Sequence, residues 1–135
     1  MFINEITGQI VDACYEIHSD LGPGLLESVY EIILYHDLIN RGFKVERQVP
    51  IPIEYKGIKF DKGFVADIIV NDTVILELKS IKETTDVDKK QLLTYLKLAD
   101  KSVGLLLNFG DSLMKNGITR IINGYLPKSP NSVSP

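Results

Sequence analysis

Residues 64–70 and 73–81 are two β-rich runs that meet at Asn71-Asp72, and this arrangement constrains the fold more than any other stretch of the chain. Asn and Asp tolerate the left-handed backbone of a two-residue hairpin loop, so the two runs are expected to pair antiparallel. A helix is expected over 87–99, opened by Thr85 and Asp88 at capping-box spacing, and an apolar strand over 103–109. A strand, a crossover helix and a second strand form a parallel pair. A hairpin that runs into such a crossover requires a mixed sheet with helices packed against it, an α+β architecture.

The rest of the chain extends this plan. Ile6, Ile10, Cys14 and Ile17 recur at helical spacing, and Leu21-Gly22-Pro23-Gly24 then breaks the chain. A second helix is expected over 25–41, stopped by Gly42. Residues 45–53 read as an edge strand, because Pro50 and Pro52 cannot donate to a ladder. Tyr55-Lys56-Gly57-Ile58 reads as a turn, and 118–122 as a last short strand. The expected order is α-α-β-β-β-β-α-β-β, in a single domain over residues 1–126. Residues 127–135 contain three prolines and three serines and read as a disordered tail.

With 135 residues, 44% of them hydrophobic and 24% charged, the chain can bury a full core, and a disordered chain is excluded. A single cysteine, Cys14, excludes a disulfide framework and a four-cysteine metal site. No apolar run reaches the ~18 residues of a membrane span. The first residues lack the basic start of a secretory signal. The expectation is a soluble, cytoplasmic protein with no membrane partner. The net charge of −3 hides an asymmetry: residues 1–40 hold seven acids and no Lys or Arg, and the remainder holds 15 bases and 11 acids. An acidic helical layer on a more basic sheet layer is the plain reading of this pattern.

Chemistry concentrates in residues 74–79. Alternation puts Val74, Leu76 and Leu78 on one face of this strand, and Ile75, Glu77 and Lys79 on the other. At a sheet edge the two charges would be a solvated pair; in a central strand they are costly unless paired or used. Asp67 is the only polar residue of the 64–70 run, and a hairpin centred on Asn71-Asp72 brings it opposite residue 76 or 77. Two converging carboxylates repel unless one is protonated or a divalent cation lies between them. Oxygen-only ligands favour Mg²⁺ or Mn²⁺ over Zn²⁺. Lys79 beside them could orient a water or offset charge on a phosphate. Gln91 and Tyr95 share a helix face at i and i+4. A Gln there could hold a water and a Tyr hydroxyl a phosphate oxygen; otherwise they are a helix former and a half-buried aromatic. Glu27 falls in the first turn of the second helix, where a carboxylate also suits the helix dipole, and Tyr30 follows three residues on. His18, at the end of the first helix, reads as a cap or a metal ligand. Cys14 reads as core.

Gly24-Leu25-Leu26-Glu27-Ser28-Val29-Tyr30 matches the signature of the GxxExxY proteins, and His18-Ser19-Asp20-Leu21-Gly22-Pro23-Gly24 resembles that family's lead-in. Ala66-Asp67, Glu77-Leu78-Lys79 and Gln91-Leu92-Leu93-Thr94-Tyr95 are similar to it as well. The resemblance spans roughly residues 5–123. This family resembles a compact branch of the PD-(D/E)xK nuclease superfamily, which implies a restriction-endonuclease-like fold: a mixed central β-sheet flanked by α-helices. By that resemblance Asp67 and Glu77 are metal-binding carboxylates, and Glu27 completes the metal shell. Lys79 is the catalytic lysine, and Gln91 and Tyr95 match the QxxxY element of RecB-like nucleases. Ala66 stands where the superfamily's name has Pro.

The implied function is Mg²⁺-dependent (or Mn²⁺-dependent) hydrolysis of nucleic-acid phosphodiester bonds, with DNA the expected substrate. Gln91 would act with Lys79 on the water and Tyr95 on the substrate. Lys82, Lys89, Lys90, Lys97 and Lys101 lie near these motifs in sequence and could contact a nucleic-acid backbone. The alternative is a catalytically silent nuclease-fold module for interaction or nucleic-acid binding; a weaker third reading is a metal-dependent hydrolase with another substrate. An active site needs Asp67 and Glu77 close together with Lys79 alongside, whereas a silent module would splay or internally pair them. The proline-bearing strand and the apolar first helices leave room for a homodimer.

Overall fold

The structure, a computed structural model, describes residues 1–124, so the tail expected over 127–135 lies outside the described residues. Its elements are α1 (Ile3–Leu21), α2 (Glu27–Asn40), β1 (Val45–Tyr55), β2 (Ile58–Val70) and β3 (Val74–Lys79). They continue with α3 (Asp86–Ala99), β4 (Val103–Asn108), α4 (Met114–Gly117) and β5 (Ile118–Ile122).

Asn71 and Asp72 both take left-handed backbone, with φ of 52° and 54°. The Thr73 N–H donates to the Val70 carbonyl at 3.0 Å, closing a tight turn, but the ladder pairs Val70 with Val74, so Thr73 joins Asn71 and Asp72 in a three-residue loop rather than the expected two-residue one. After β3 the chain crosses over through α3 and returns as β4, parallel to β3 from Val74↔Val103 to Lys79↔Asn108. The other pairings are antiparallel, and the five-stranded sheet has the order β1-β2-β3-β4-β5. This is a mixed sheet flanked by helices, an α+β fold consistent with a restriction-endonuclease-like architecture. β1, with Pro50 and Pro52, lies at the edge where proline is tolerated. Thr85 and Asp88 close both bonds of the capping box that starts α3.

One expectation is corrected. Three strands precede α3 among the described residues, not four. Lys56 and Gly57 turn the chain with φ of 51° and 81°, and residues 58–70 then run as one 13-residue strand paired along β1. The ladder carries one register shift, between Ile51 and Ile53. The short α4 between β4 and β5 was not anticipated, so the observed order is α-α-β-β-β-α-β-α-β.

Two cores lie on the two faces of the sheet. On one, Ile6, Ile10 and Ile17 of α1 and Leu34 and Leu38 of α2 pack with Ile68, Leu76, Leu78 and Leu105. On the other, Leu92 and Leu96 of α3 pack with Ala66, Ile75 and Leu106. Cys14 is buried in the first core, and burial pushes its thiol far above the range in which it would ionise. Arg41, the first Lys or Arg of the chain, bonds Asp12 at 2.8 Å, Glu16 at 3.0 Å and Asp37 at 3.0 Å. It thereby ties α1 to α2 and neutralises part of the acidic helical layer.

Candidate functional site

The β2–β3 ladder runs through Val70↔Val74, Ile69↔Ile75 and Ile68↔Leu76, and stops there. Beyond it, side chains take the place of ladder carbonyls. The Asp67 N–H donates to Glu77 Oε1 at 3.4 Å, and the Leu78 N–H donates to Asp67 Oδ2 at 2.9 Å. Asp67 and Glu77 are thus brought together where the two strands open, as the hairpin register anticipated. β3 meanwhile stays paired to β4 through Lys79↔Asn108, so Glu77 and Lys79 belong to the middle strand of the sheet. The edge-strand reading of these two charges is therefore excluded.

The electrostatics follow from this placement. Burial, with the charge and hydrogen bonding of Asp67, pushes the Glu77 carboxyl up to about 9, and Lys79 only partly offsets it. Among the described residues no ion pair involves Asp67, Glu77 or Lys79. Tyr95 of α3 is half-buried and stacked on Phe64, with ring centroids 4.0 Å apart and planes at 6°. Its hydroxyl is held above the usual range by burial, then by the charges of Glu77 and Asp67, and Gln91 acts in the opposite sense. Tyr95 therefore belongs to the same electrostatic neighbourhood, with the exposed Gln91 beside it.

Glu27 arrives from the other side, as the first residue of α2. The loop before it turns through Gly22 and Gly24, with φ of 71° and 112°. Tyr30 locks that loop: its hydroxyl donates to the Gly22 carbonyl at 2.5 Å and accepts the Leu25 N–H at 3.2 Å. Its ring, fully buried, stacks on Phe109 with centroids 4.5 Å apart. The Ser80 hydroxyl donates to the Leu25 carbonyl at 2.6 Å, fastening the loop to the residue after β3. A cleft of about 460 Å³ results, lined by Glu27, Ser80, Lys82 and Gly110 among others. The Glu27 carboxyl is raised by burial, then by Asp67, with Lys79 lowering it and Glu31 raising it. It shares the field of the Asp67–Glu77 pair, yet among the described residues no three His, Cys, Asp or Glu converge closely enough to enclose an ion.

Other residues settle differently. His18 Nε2 donates to the Asp111 carbonyl at 2.8 Å, tying α1 to the segment after β4; it is neither a cap nor part of the carboxylate pair. Lys82 lines the cleft with Glu27. Lys101 is bonded to the Asp72 carbonyl at 2.8 Å, at the opposite end of β3 from Lys79. Sequence reasoning missed Asn108, which is completely buried. Its Oδ1 accepts from the Ile81 and Gly110 N–H groups at 3.0 and 3.1 Å, and its Nδ2 donates to the Ile81 carbonyl at 3.0 Å and Asp111 Oδ2 at 2.8 Å. A Cβ at Gly110 would overlap the Ile81 backbone, so only glycine fits there. The signal was legible: Asn108 is the one polar side chain in the apolar run 103–109. Gln48, Glu31 and Arg47 were also missed.

This geometry agrees with a comparison of sequences. The family model described as the PD-(D/E)XK nuclease superfamily matches residues 4–121. The chain belongs to that superfamily, whose nucleases generally use divalent metals. No curated protein and no solved structure matches the chain. The residues present fit a hard divalent cation. Asp67 and Glu77 offer oxygen donors only, and a cation between them would offset both the burial and the Asp67 charge that raise the Glu77 carboxyl. Two carboxylates with open positions suit an ion that keeps waters and takes phosphate oxygens, rather than one caged by protein. No helix among the described residues is long and apolar enough to cross a membrane.

Proposed function

We propose that this chain is a metal-dependent nuclease of the GxxExxY branch, hydrolysing phosphodiester bonds of nucleic acid, DNA first, with Mg²⁺ or Mn²⁺ as cofactor. The observation that carries the reading is the opening of the β2–β3 ladder, where Asp67 and Glu77 meet in the middle of the sheet with Lys79 on the same strand. Asp67 and Glu77 hold the cation, and Glu27 approaches from the cleft rim to complete its surroundings. When bound, the cation supplies positive charge to the scissile phosphate and acidifies water at the site. The Lys79 ammonium offsets the negative charge that grows on the phosphate. The Gln91 amide orients the attacking water, and the Tyr95 hydroxyl donates to a phosphate oxygen. Lys82 gives the cleft beside Glu27 a cation for the nucleic-acid backbone.

The alternative of a silent module requires the carboxylates to be splayed or internally paired. Asp67 and Glu77 are not splayed, and although they bond to each other, no cationic side chain neutralises either among the described residues, which favours the active reading. The test is cleavage of labelled single- and double-stranded DNA and RNA in Mg²⁺, for the wild type and Lys79→Ala. The wild type should cleave and lose activity in chelator. Lys79→Ala should keep its fold and metal binding and lose about 10²-fold or more in rate. Cleavage that survives Lys79→Ala unchanged, or persists in chelator, would sink the mechanism.

A further inference from the structure

Gln48 combines a backbone and a side-chain observation that the proposed chemistry does not use. It sits within β1 with φ of 52°, in the left-handed region that residues other than Gly, Asn and Asp seldom enter. The β1–β2 ladder pairs Arg47 with Ile68 and Val49 with Ala66, and skips Gln48 and Asp67 between them. Register is the same on both sides of the gap, yet the faces exchange. Val45, Ile68 and Val70 belong to the core under α1 and α2, whereas Val49, Ile51, Phe64 and Ala66 belong to the core under α3. Unbroken alternation would keep residues 64, 66, 68 and 70 of β2 on one face. Both strands therefore turn through half a pleat at Gln48 and Asp67, the point at which Asp67 meets Glu77.

The side chain of Gln48 completes this arrangement. Its Nε2 donates to Glu31 Oε1 at 2.8 Å and Oε2 at 3.1 Å, and lies 3.5 Å from Asp67 Oδ1. Glu31 is a buried carboxylate of α2, neutralised by Arg47 through Nη2 at 2.9 Å and Nε at 3.1 Å. Arg47 thus permits Glu31 to be buried, Glu31 fixes the Gln48 amide, and the amide faces the Asp67 oxygen that the Leu78 N–H leaves free.

We propose that Gln48, anchored by the Glu31–Arg47 pair, is a positioning residue that orients the Asp67 carboxylate for the divalent cation it shares with Glu77. The role rests on the metal site proposed above. The informative variant is Gln48→Gly, because glycine accepts the backbone conformation while the amide is lost. Mn²⁺ titration by calorimetry, with thermal melts alongside, reads both effects. Gln48→Gly should keep a cooperative melt, the relieved backbone offsetting part of the loss of the bonds to buried Glu31, and bind Mn²⁺ about tenfold more weakly, as loss of a group that orients a ligand typically does. The Mg²⁺ concentration for half-maximal cleavage should rise by about the same factor, with the rate at saturating Mg²⁺ retained. Wild-type Mn²⁺ affinity in Gln48→Gly would overturn the role. Loss of its cooperative melt would overturn it too, by making the residue a determinant of the fold. Asp67→Ala/Glu77→Ala serves as the control. If it abolishes binding while Gln48→Gly does not change it, only the Gln48 assignment falls. A wild type that binds no Mn²⁺, alone or with a short oligonucleotide, removes both.

Discussion

Glu77 is the residue on which the electrostatics of the site turn. Its carboxyl is raised from 4.5 to about 9, chiefly by burial and then by Asp67. The folded chain therefore keeps a proton that the unfolded chain gives up between those two values. The stability this contributes is complete below pH 4.5 and is lost as pH rises towards about 9. Thermal melts in chelator should accordingly show a melting temperature that falls from pH 5 to pH 9, and Glu77→Gln should flatten the slope. A melting temperature that climbs over this range would contradict the placement of Glu77 beside Asp67. Asn108 makes a different contribution. It joins the end of β4 to Ile81 and Gly110 and so shapes the cleft from behind. Asn108→Ala would strand several buried backbone groups and should cost about 2–3 kcal/mol in urea unfolding. A loss within error of zero would mean those bonds do not hold the loop.

At the scale of elements, the hairpin, the crossover and the α1–α2 loop together bring the chemistry to one end of β3. Much of this was legible. Asn71-Asp72 specified the turn because both residues accept left-handed backbone, and it left Asp67 opposite residue 76 or 77; Thr73, unpaired in the loop, settles the register on Glu77. Thr85 and Asp88 marked the start of α3 through a local capping bond. Single-residue deviations from a regular period were not legible. The half-pleat turn at Gln48 leaves no trace in an alternation of apolar residues, because both strands turn together and the register survives. Glu31 looked like one more acid on an acidic helix, since its partner Arg47 lies on another element. Tyr30 was read as a neighbour of Glu27 on a helix face, and its anchoring of the loop depends on Gly22 and Leu25, which precede the helix. Tyr30→Phe keeps the stacking on Phe109 and loses both hydroxyl bonds. It should cost about 1 kcal/mol and weaken Mn²⁺ binding through Glu27, measured by chemical denaturation and calorimetry. An effect on stability with none on metal binding would separate Glu27 from the cation.

Across the whole molecule, charge is divided between the layers. Arg41 consumes three of the acids in α1 and α2, and Lys101 is engaged at the β2–β3 turn, away from Lys79. Lys82 is the cation that lines the cleft beside Glu27. An acidic chain of this size has limited electrostatic grip on nucleic acid, so the affinity of any complex should fall steeply with salt. The site itself depends on one local event, the meeting of Asp67 and Glu77 where β2 and β3 part. The most direct measurement is calorimetric titration of Mg²⁺ and Mn²⁺ into the wild type and into Asp67→Ala/Glu77→Ala at low salt, repeated with a short oligonucleotide present. Binding by the wild type that vanishes in the double variant is the predicted result. A folded wild type that takes up neither ion, with or without the oligonucleotide, would contradict the carboxylate pair as a metal site.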